Sequence, residues 1–188
     1  MPVATVTPQE AGLLMTAEDL WQLGSTTPGE LVRGRFVHMP PTGHPHGTVE
    51  ANVAAELRAF VKQRRLGKVQ SGEVGIITRR NPDTVRGADV VYISNERLAQ
   101  ARGDGYLDIA PELVVEIVSP NDRWTEINEK VAEYLGCGVT AVWLIDPHTR
   151  RVTCYHAPAE IRVFGIDDVL SQPDVLPDFA LPVRELFD

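Results

Sequence analysis

Cysteine is nearly absent from this sequence: Cys137 and Cys154 are the only two among 188 residues. They form no CxxC pair, so no disulfide framework is expected, and both thiols read as small buried hydrophobes of a reducing compartment. No apolar run approaches the roughly 18 residues that a membrane span needs, and the opening Met1-Pro2-Val3-Ala4-Thr5 lacks the charged and apolar regions of a signal peptide. A cytoplasmic protein with no membrane partner is the expectation. Aromatic residues are sparse, at 6%, and scattered. They offer little stacking platform for single-stranded nucleic acid, and Tyr134 and Trp143 read as core. Positive charge is short too, with a formal net charge of −8, which argues against a protein that coats itself in nucleic acid.

What is present is an ordinary globular composition. With 43% hydrophobic residues the chain can bury one sizeable core, and the reading is a loose arm over residues 1–15 followed by one domain over 16–188. Charge is unevenly spread. Residues 58–86 hold eight basic side chains against two acidic ones, Glu73 and Asp83, whereas residues 87–188 hold eight basic against eighteen acidic. A basic segment beside an acidic body reads either as a phosphate-binding face or as merely solvated charge.

Thr16 is placed to cap a short helix that stops at Gly24. Residues 30–39, apolar on either side of Arg33-Gly34-Arg35, predict a hairpin, and the proline-, glycine- and histidine-rich residues 40–47 a loop. Val49, Val53, Leu57 and Val61 line one face of a helix over 48–65, which Glu50 opens. Strands are expected over 68–78, 88–94, 111–119 and 140–145. A helix capped by Asn121 or Asp122 joins the last two, and such a crossover makes them parallel. Residues 151–156 and 160–164 predict a further hairpin, and the proline-punctuated tail suits packing on the surface.

The stretch Pro111-Glu112-Leu113-Val114-Val115-Glu116-Ile117-Val118-Ser119-Pro120 reads as a buried central strand with one carboxylate set into it. An unpaired ionised carboxylate taken out of water protonates, so Glu116 implies a metal, a cationic partner or an exposed strand end. Asp89 opens another strand and shares a face with Val91 and Ile93, as Glu116 does with Val114 and Val118. Two carboxylates at neighbouring strand ends suit a hard divalent cation such as Mg²⁺, which takes oxygen ligands at about 2.1 Å. Lys130 borders the inward face of its helix. Either it pairs with Glu126 one turn away, or it reaches over the sheet to orient water and neutralise charge on a phosphoryl group. Glu50 is either a first-turn acid favoured by the helix dipole or a third acid of the same site. Asp89, Glu116, Glu50 and Lys130 with a divalent metal amount to a phosphodiester hydrolysis site. His38, His44 and His46 match no common zinc spacing; contact with substrate or an acid is their other use.

The ordered motifs Arg86-Gly87-Ala88-Asp89-Val90-Val91-Tyr92-Ile93, the stretch from Pro111 to Pro120, Lys130 with Glu133-Tyr134, Gly138-Val139 and Val142-Trp143-Leu144-Ile145-Asp146-Pro147 resemble the Uma2 family of restriction-endonuclease-like proteins. That family belongs to the PD-(D/E)XK nuclease superfamily, and the resemblance runs over residues 16–187. It implies an α/β (α+β) restriction-endonuclease-like fold with a mixed central β-sheet flanked by helices, to which the pattern adds an N-terminal hairpin and further C-terminal strands. It also implies Mg²⁺-dependent endonucleolytic cleavage of DNA, with Mn²⁺ as a substitute. Asp89 and Glu116 would be metal ligands, the Ile117 backbone carbonyl a third, Glu50 the helix-borne acid acting directly or through water, and Lys130 the catalytic lysine. A homodimer follows by analogy with nucleases of that fold.

Two positions depart from the superfamily pattern. Ala88 stands where a proline is usual, and Val118 stands where the E-x-K lysine belongs, a role the family carries on the following helix and Lys130 fits. The absent E-x-K lysine and the negative charge leave a second reading open, a catalytically inactive nuclease-like domain that binds DNA or protein. A third takes Glu116 as a structural ion-pair acid in a small-molecule binder.

Overall fold

The computed structural model describes residues 14–24, 27–120, 122–158 and 160–188. All but the last two residues of the expected arm lie outside that set, and of these Met15 is tied down, its amide donating to the Gly34 carbonyl at 2.9 Å. Thr16 caps α1 (Ala17–Leu23) as expected: its hydroxyl accepts from the Asp19 amide and the Asp19 carboxylate accepts from its own amide. The hairpin β1 (Gly29–Val32) and β2 (Arg35–His38) turns through Arg33 and Gly34 at φ 52° and 76°, the left-handed pair a two-residue hairpin turn needs.

Helix α2 (His44–Arg64) starts four residues earlier than the sequence suggests. Proline fits a first helical turn because an amide there has no intrahelical partner to lose, so Pro45 does not keep the chain in a loop. The loop therefore ends at Gly43, and Glu50 lies in the second turn instead of opening the helix.

Strands β3 (Gly67–Arg79) and β4 (Thr84–Ser94) make a long antiparallel hairpin, followed by the short α3 (Asn95–Leu98). Then β5 (Leu113–Ile117) lies antiparallel to β4, and α4 (Trp124–Gly136) crosses over to β6 (Ala141–Asp146), parallel to β5 as the strand-helix-strand pattern predicts. The expected cap at Asn121 lies outside the described residues. Asp122 does not cap α4 but accepts from the Ser119 amide at 2.8 Å. Strands β7 (Arg151–His156) and β8 (Glu160–Phe164) complete the sheet in the order β2-β1-β4-β5-β6-β7-β8, with β3 along β4.

The tail is not a surface wrapping. β9 (Val169–Gln172) and β10 (Leu176–Pro182) form a second, two-stranded sheet, and a 3₁₀ turn (Val183–Leu186) follows. Leu170, Leu176, Val183 and Leu186 are fully buried against α2 and one face of the large sheet, together with Trp143. Each such side chain contributes about 1.5–3 kcal/mol by leaving water. On the other face α4 packs Ile127, Val131 and Tyr134 over Val91, Val114 and Val142. The architecture is thus a mixed, mostly antiparallel sheet flanked by helices. Cys137 and Cys154 are free, and burial pushes the Cys154 thiol up to about 12. Among the described residues no helix is long and apolar enough to cross a membrane.

Candidate active site

The register of β3 on β4 slips between Ser71↔Val90 and Val74↔Ala88, so Gly72 and Glu73 together oppose Asp89. This is a β-bulge, and Glu73 adopts its left-handed φ of 57°. The alternation of β4 breaks at the same point: Ala88 and Val91 pack on the α4 side, Val90 on the α2 side. Asp89 therefore lies in the middle of its strand, not at its start, and does not simply share a face with Val91 and Ile93. It is 4% exposed. Its Oδ2 accepts from the Ile117 amide at 2.6 Å, which replaces the rung after Val90↔Val115 with a side-chain bond.

From α2, His46 comes within 3.3 Å of Asp89 Oδ2 through Nε2, while its Nδ1 lies 3.9 Å from Glu50 Oε2 one turn on. The early start of α2 makes this contact, since it converts an expected loop histidine into a buried helical one. His46, Glu50 and Asp89 offer ligand atoms within 4.8 Å of one another. His38 and His44 are exposed and stand apart. Burial alone would depress the His46 imidazole, but the hydrogen bond and charge of Asp89, with the charges of Glu50 and Glu73, raise it. Burial and then the Asp89 charge raise the Glu50 carboxyl, and the same two causes push Glu73 up to about 7.

Glu116 faces α4. Lys130 Nζ donates to Glu116 Oε2 at 2.8 Å and to the Gly87 carbonyl at 3.1 Å, and the Tyr134 hydroxyl donates to Glu116 Oε1 at 2.7 Å. Lys130 thus points into the site and makes no ion pair with Glu126; its second acid is Glu30 of β1, at 3.1 Å. Glu30 in turn holds Arg86 at 2.8 Å, and Arg86 holds Glu133 at 2.6 Å. Signs alternate along Glu133, Arg86, Glu30, Lys130 and Glu116, tying β1, β4, β5 and α4 together. Burial pushes Glu116 up to about 7 against the pull of Lys130, with the Asp89 charge adding to the rise. Burial works against the charge on Lys130, yet Glu116 and Glu30 keep it protonated well above the usual lysine range. Glu30, despite burial, is held below the usual carboxylate range by Lys130 and Arg86.

The four residues named from the sequence therefore meet as two neighbouring halves, Glu50 with Asp89 and Glu116 with Lys130. A cavity of about 350 Å³ runs from His46 and Asp89 to Glu116 and Lys130, lined also by Glu30 and Glu73. Two hollows adjoin it. One, of about 810 Å³, contains Glu50, Glu73 and Trp21; the other, of about 630 Å³, contains His46 and Trp124. Glu30, Glu73 and Arg86 were not legible as site residues. Glu30 follows Pro28 and Gly29 at the head of a four-residue strand, too short an apolar run to single it out, and the bulge that aims Glu73 has no sequence mark. Tyr134 is core as expected, and also a hydrogen-bond donor to Glu116.

The basic segment does not form one face at this site. Lys62 is sixteen residues beyond His46 in α2, roughly 24 Å along the helix. Arg80 is paired with Glu18 and Asp83, and Arg86 is consumed in the buried network. The lining is acidic, oxygen-rich and crowded with like charge, and it includes a buried imidazole nitrogen, His46 Nδ1, with no partner among the described residues. Such a donor set fits a divalent cation, which removes the repulsion and occupies the orphaned atom.

A family model, Uma2, described as "Putative restriction endonuclease", matches residues 18–184. Five chains of solved structure also match. One is described as a putative nuclease belonging to DUF820 from Anabaena variabilis; it is 22% identical, the match covers 92% of this chain and 97% of that one, and the TM-score is 0.77. At that identity the likeness establishes a shared fold. No curated protein matches.

Proposed function

The chain belongs to the Uma2 family, and from that membership together with the site geometry we propose that it is a metal-dependent endonuclease hydrolysing DNA phosphodiester bonds. The proposed ligands of Mg²⁺, with Mn²⁺ as a substitute, are Asp89, Glu116 and the Ile117 carbonyl, with Glu50 acting directly or through water. One observation carries the reading: Lys130 Nζ stands 2.8 Å from Glu116 Oε2, so α4 supplies the lysine that position 118 lacks.

When bound, the cation supplies positive charge for the phosphoryl oxygens and lowers the pKa of a water beside it. Lys130, kept protonated by Glu116 and Glu30, exchanges its contact with the Gly87 carbonyl for a non-bridging phosphoryl oxygen and stabilises the charge that grows there. Tyr134 and Lys130 fix the Glu116 carboxylate between them, and the Ile117 amide fixes Asp89, so neither acid swings when substrate arrives. Because Glu30, Glu73, Asp89 and Glu116 line the cavity, DNA binding itself depends on the cation. Duplex DNA has two strands to cut, and a two-fold homodimer presenting one site to each is the proposed working form.

A second reading is favoured by one specific contact pair. Both oxygens of Glu116 already have partners, Lys130 and Tyr134, an arrangement that suits an inactive nuclease-like domain binding DNA or protein. Supercoiled plasmid incubated with the protein and Mg²⁺ or Mn²⁺, against EDTA and beside Glu116→Ala and Lys130→Ala, separates the two. Nicking that needs metal and disappears in both variants supports the nuclease. Inactivity on plasmid, single-stranded and branched DNA alike supports the binding domain.

A further inference from the structure

His46 is 6% exposed, more than nine-tenths buried, yet its Nδ1 has no hydrogen-bond partner among the described residues. That nitrogen faces Glu50 Oε2 at 3.9 Å. The separation is too long for a hydrogen bond, but it is the span of two donors sharing one cation: bonds of about 2.1 Å in an octahedral shell set donors roughly 3–4.2 Å apart. The other ring nitrogen, Nε2, lies 3.3 Å from Asp89 Oδ2, the contact by which a carboxylate fixes the tautomer and orientation of a metal-ligating histidine. His46 and Glu50 are four residues apart on one helix, so their spacing is set by α2 itself.

We propose that His46 is a metal ligand through Nδ1, alongside Glu50 and with Asp89 behind it on Nε2, and that this imidazole makes the site prefer Mn²⁺ to Mg²⁺. The inference rests on the metal-binding reading above and adds to it a nitrogen ligand and an order of preference. Mg²⁺ takes oxygen ligands and keeps its waters. A first-row transition ion accepts imidazole as well as carboxylate, and Mn²⁺ is the member of that series that suits an oxygen-rich shell. Two constraints hold the three side chains: helix α2 sets His46 and Glu50, and the Ile117 amide sets Asp89.

Metal-free protein titrated with Mn²⁺, with electron paramagnetic resonance counting the free ion and Mg²⁺ as competitor, tests this for wild type and His46→Gln. The wild type is expected to bind Mn²⁺ at least about tenfold more tightly than His46→Gln, while the Mg²⁺ affinity changes less. Spin-echo modulation from a ligating nitrogen is expected on the bound Mn²⁺ of the wild type and is lost in the variant. Labelling the wild-type histidines with ¹⁵N must alter that modulation, a check that needs no substitution and stands even where His46→Gln folds poorly. Bound Mn²⁺ without nitrogen modulation overturns the histidine ligand and leaves the proposed nuclease site standing. Nitrogen modulation with equal affinity for the two ions overturns the preference. No bound Mn²⁺ overturns both this inference and the metal-dependent reading on which it rests.

Discussion

Lys130 follows Glu116 by fourteen residues in the chain and meets it at 2.8 Å in the fold. The β5–α4–β6 crossover accounts for both facts, because the helix runs back over the strand it has just left and lays its second turn above the carboxylate. A lysine on the strand itself would be aimed by backbone pleat; this one is aimed by ion pairs to Glu30 and Glu116.

Replacing Lys130 with methionine keeps the length of the side chain and removes its charge. Metal-dependent cleavage is expected to fall by about a hundredfold or more. DNA affinity in Ca²⁺ should change far less, because the loss falls on the developing charge and not on ground-state binding. Equal losses in affinity and rate would place Lys130 in substrate binding instead.

Val118 lines the same cavity as Lys130 and lies two residues beyond Glu116. Val118→Lys is therefore expected to recover part of the activity lost in Lys130→Met, bringing the double variant above the single one in the plasmid assay. Recovery to no degree would mean that the two positions do not address the same phosphoryl oxygen.

Glu73 gives a pH-dependent stability with a definite sign. Its carboxyl rises from 4.5 to about 7 through burial and the Asp89 charge, so the folded state binds its proton more tightly than the unfolded chain does. The metal-free fold accordingly loses stability as pH climbs from about 4.5 to 7. Glu73→Gln is expected to raise the melting temperature at pH 8 and leave it nearly unchanged at pH 4. Glu73 is exposed as a residue while its carboxylate lines the cavity, and that solvent access tempers the gain. Calorimetry at the two pH values is the check.

Glu30 behaves in the opposite sense. Lys130 and Arg86 hold its carboxyl below 4.5 despite burial, so its contribution is present above 4.5 and is lost as pH falls through the lowered folded value. Glu30→Gln leaves two buried cations short of an acid and is expected to cost about 3–5 kcal/mol at pH 7. Urea unfolding should show that difference shrinking as the pH is brought below 4.

Much of this arrangement was legible because it is local. Near-continuous apolar runs marked β5 and β6, helical spacing marked the α2 and α4 faces, and Glu116 announced itself as a carboxylate inside an apolar run. Lys130 was legible as a helix-face residue, although only the fold decides between Glu116 and the nearer Glu126. Three features were hidden. The start of α2 was obscured by Pro45, which reads as a breaker until its place in the first turn is known. The bulge at Gly72 and Glu73 is a property of pairing between strands and leaves no periodic trace. The tail is spaced too irregularly by prolines for any period to reveal that Leu170, Leu176 and Leu186 belong to the core.

Glu30 and Lys130 are a hundred residues apart in the sequence and touch only once β1 has joined β4 and α4 has settled on the sheet. During synthesis the hairpin that carries Glu30 waits for a helix made much later. Until the two meet, the chain has carboxylates but no aligned lysine. On the proposed function, a half-made or partly unfolded copy is harmless to the DNA around it, and the capacity to cut becomes a report that folding is complete.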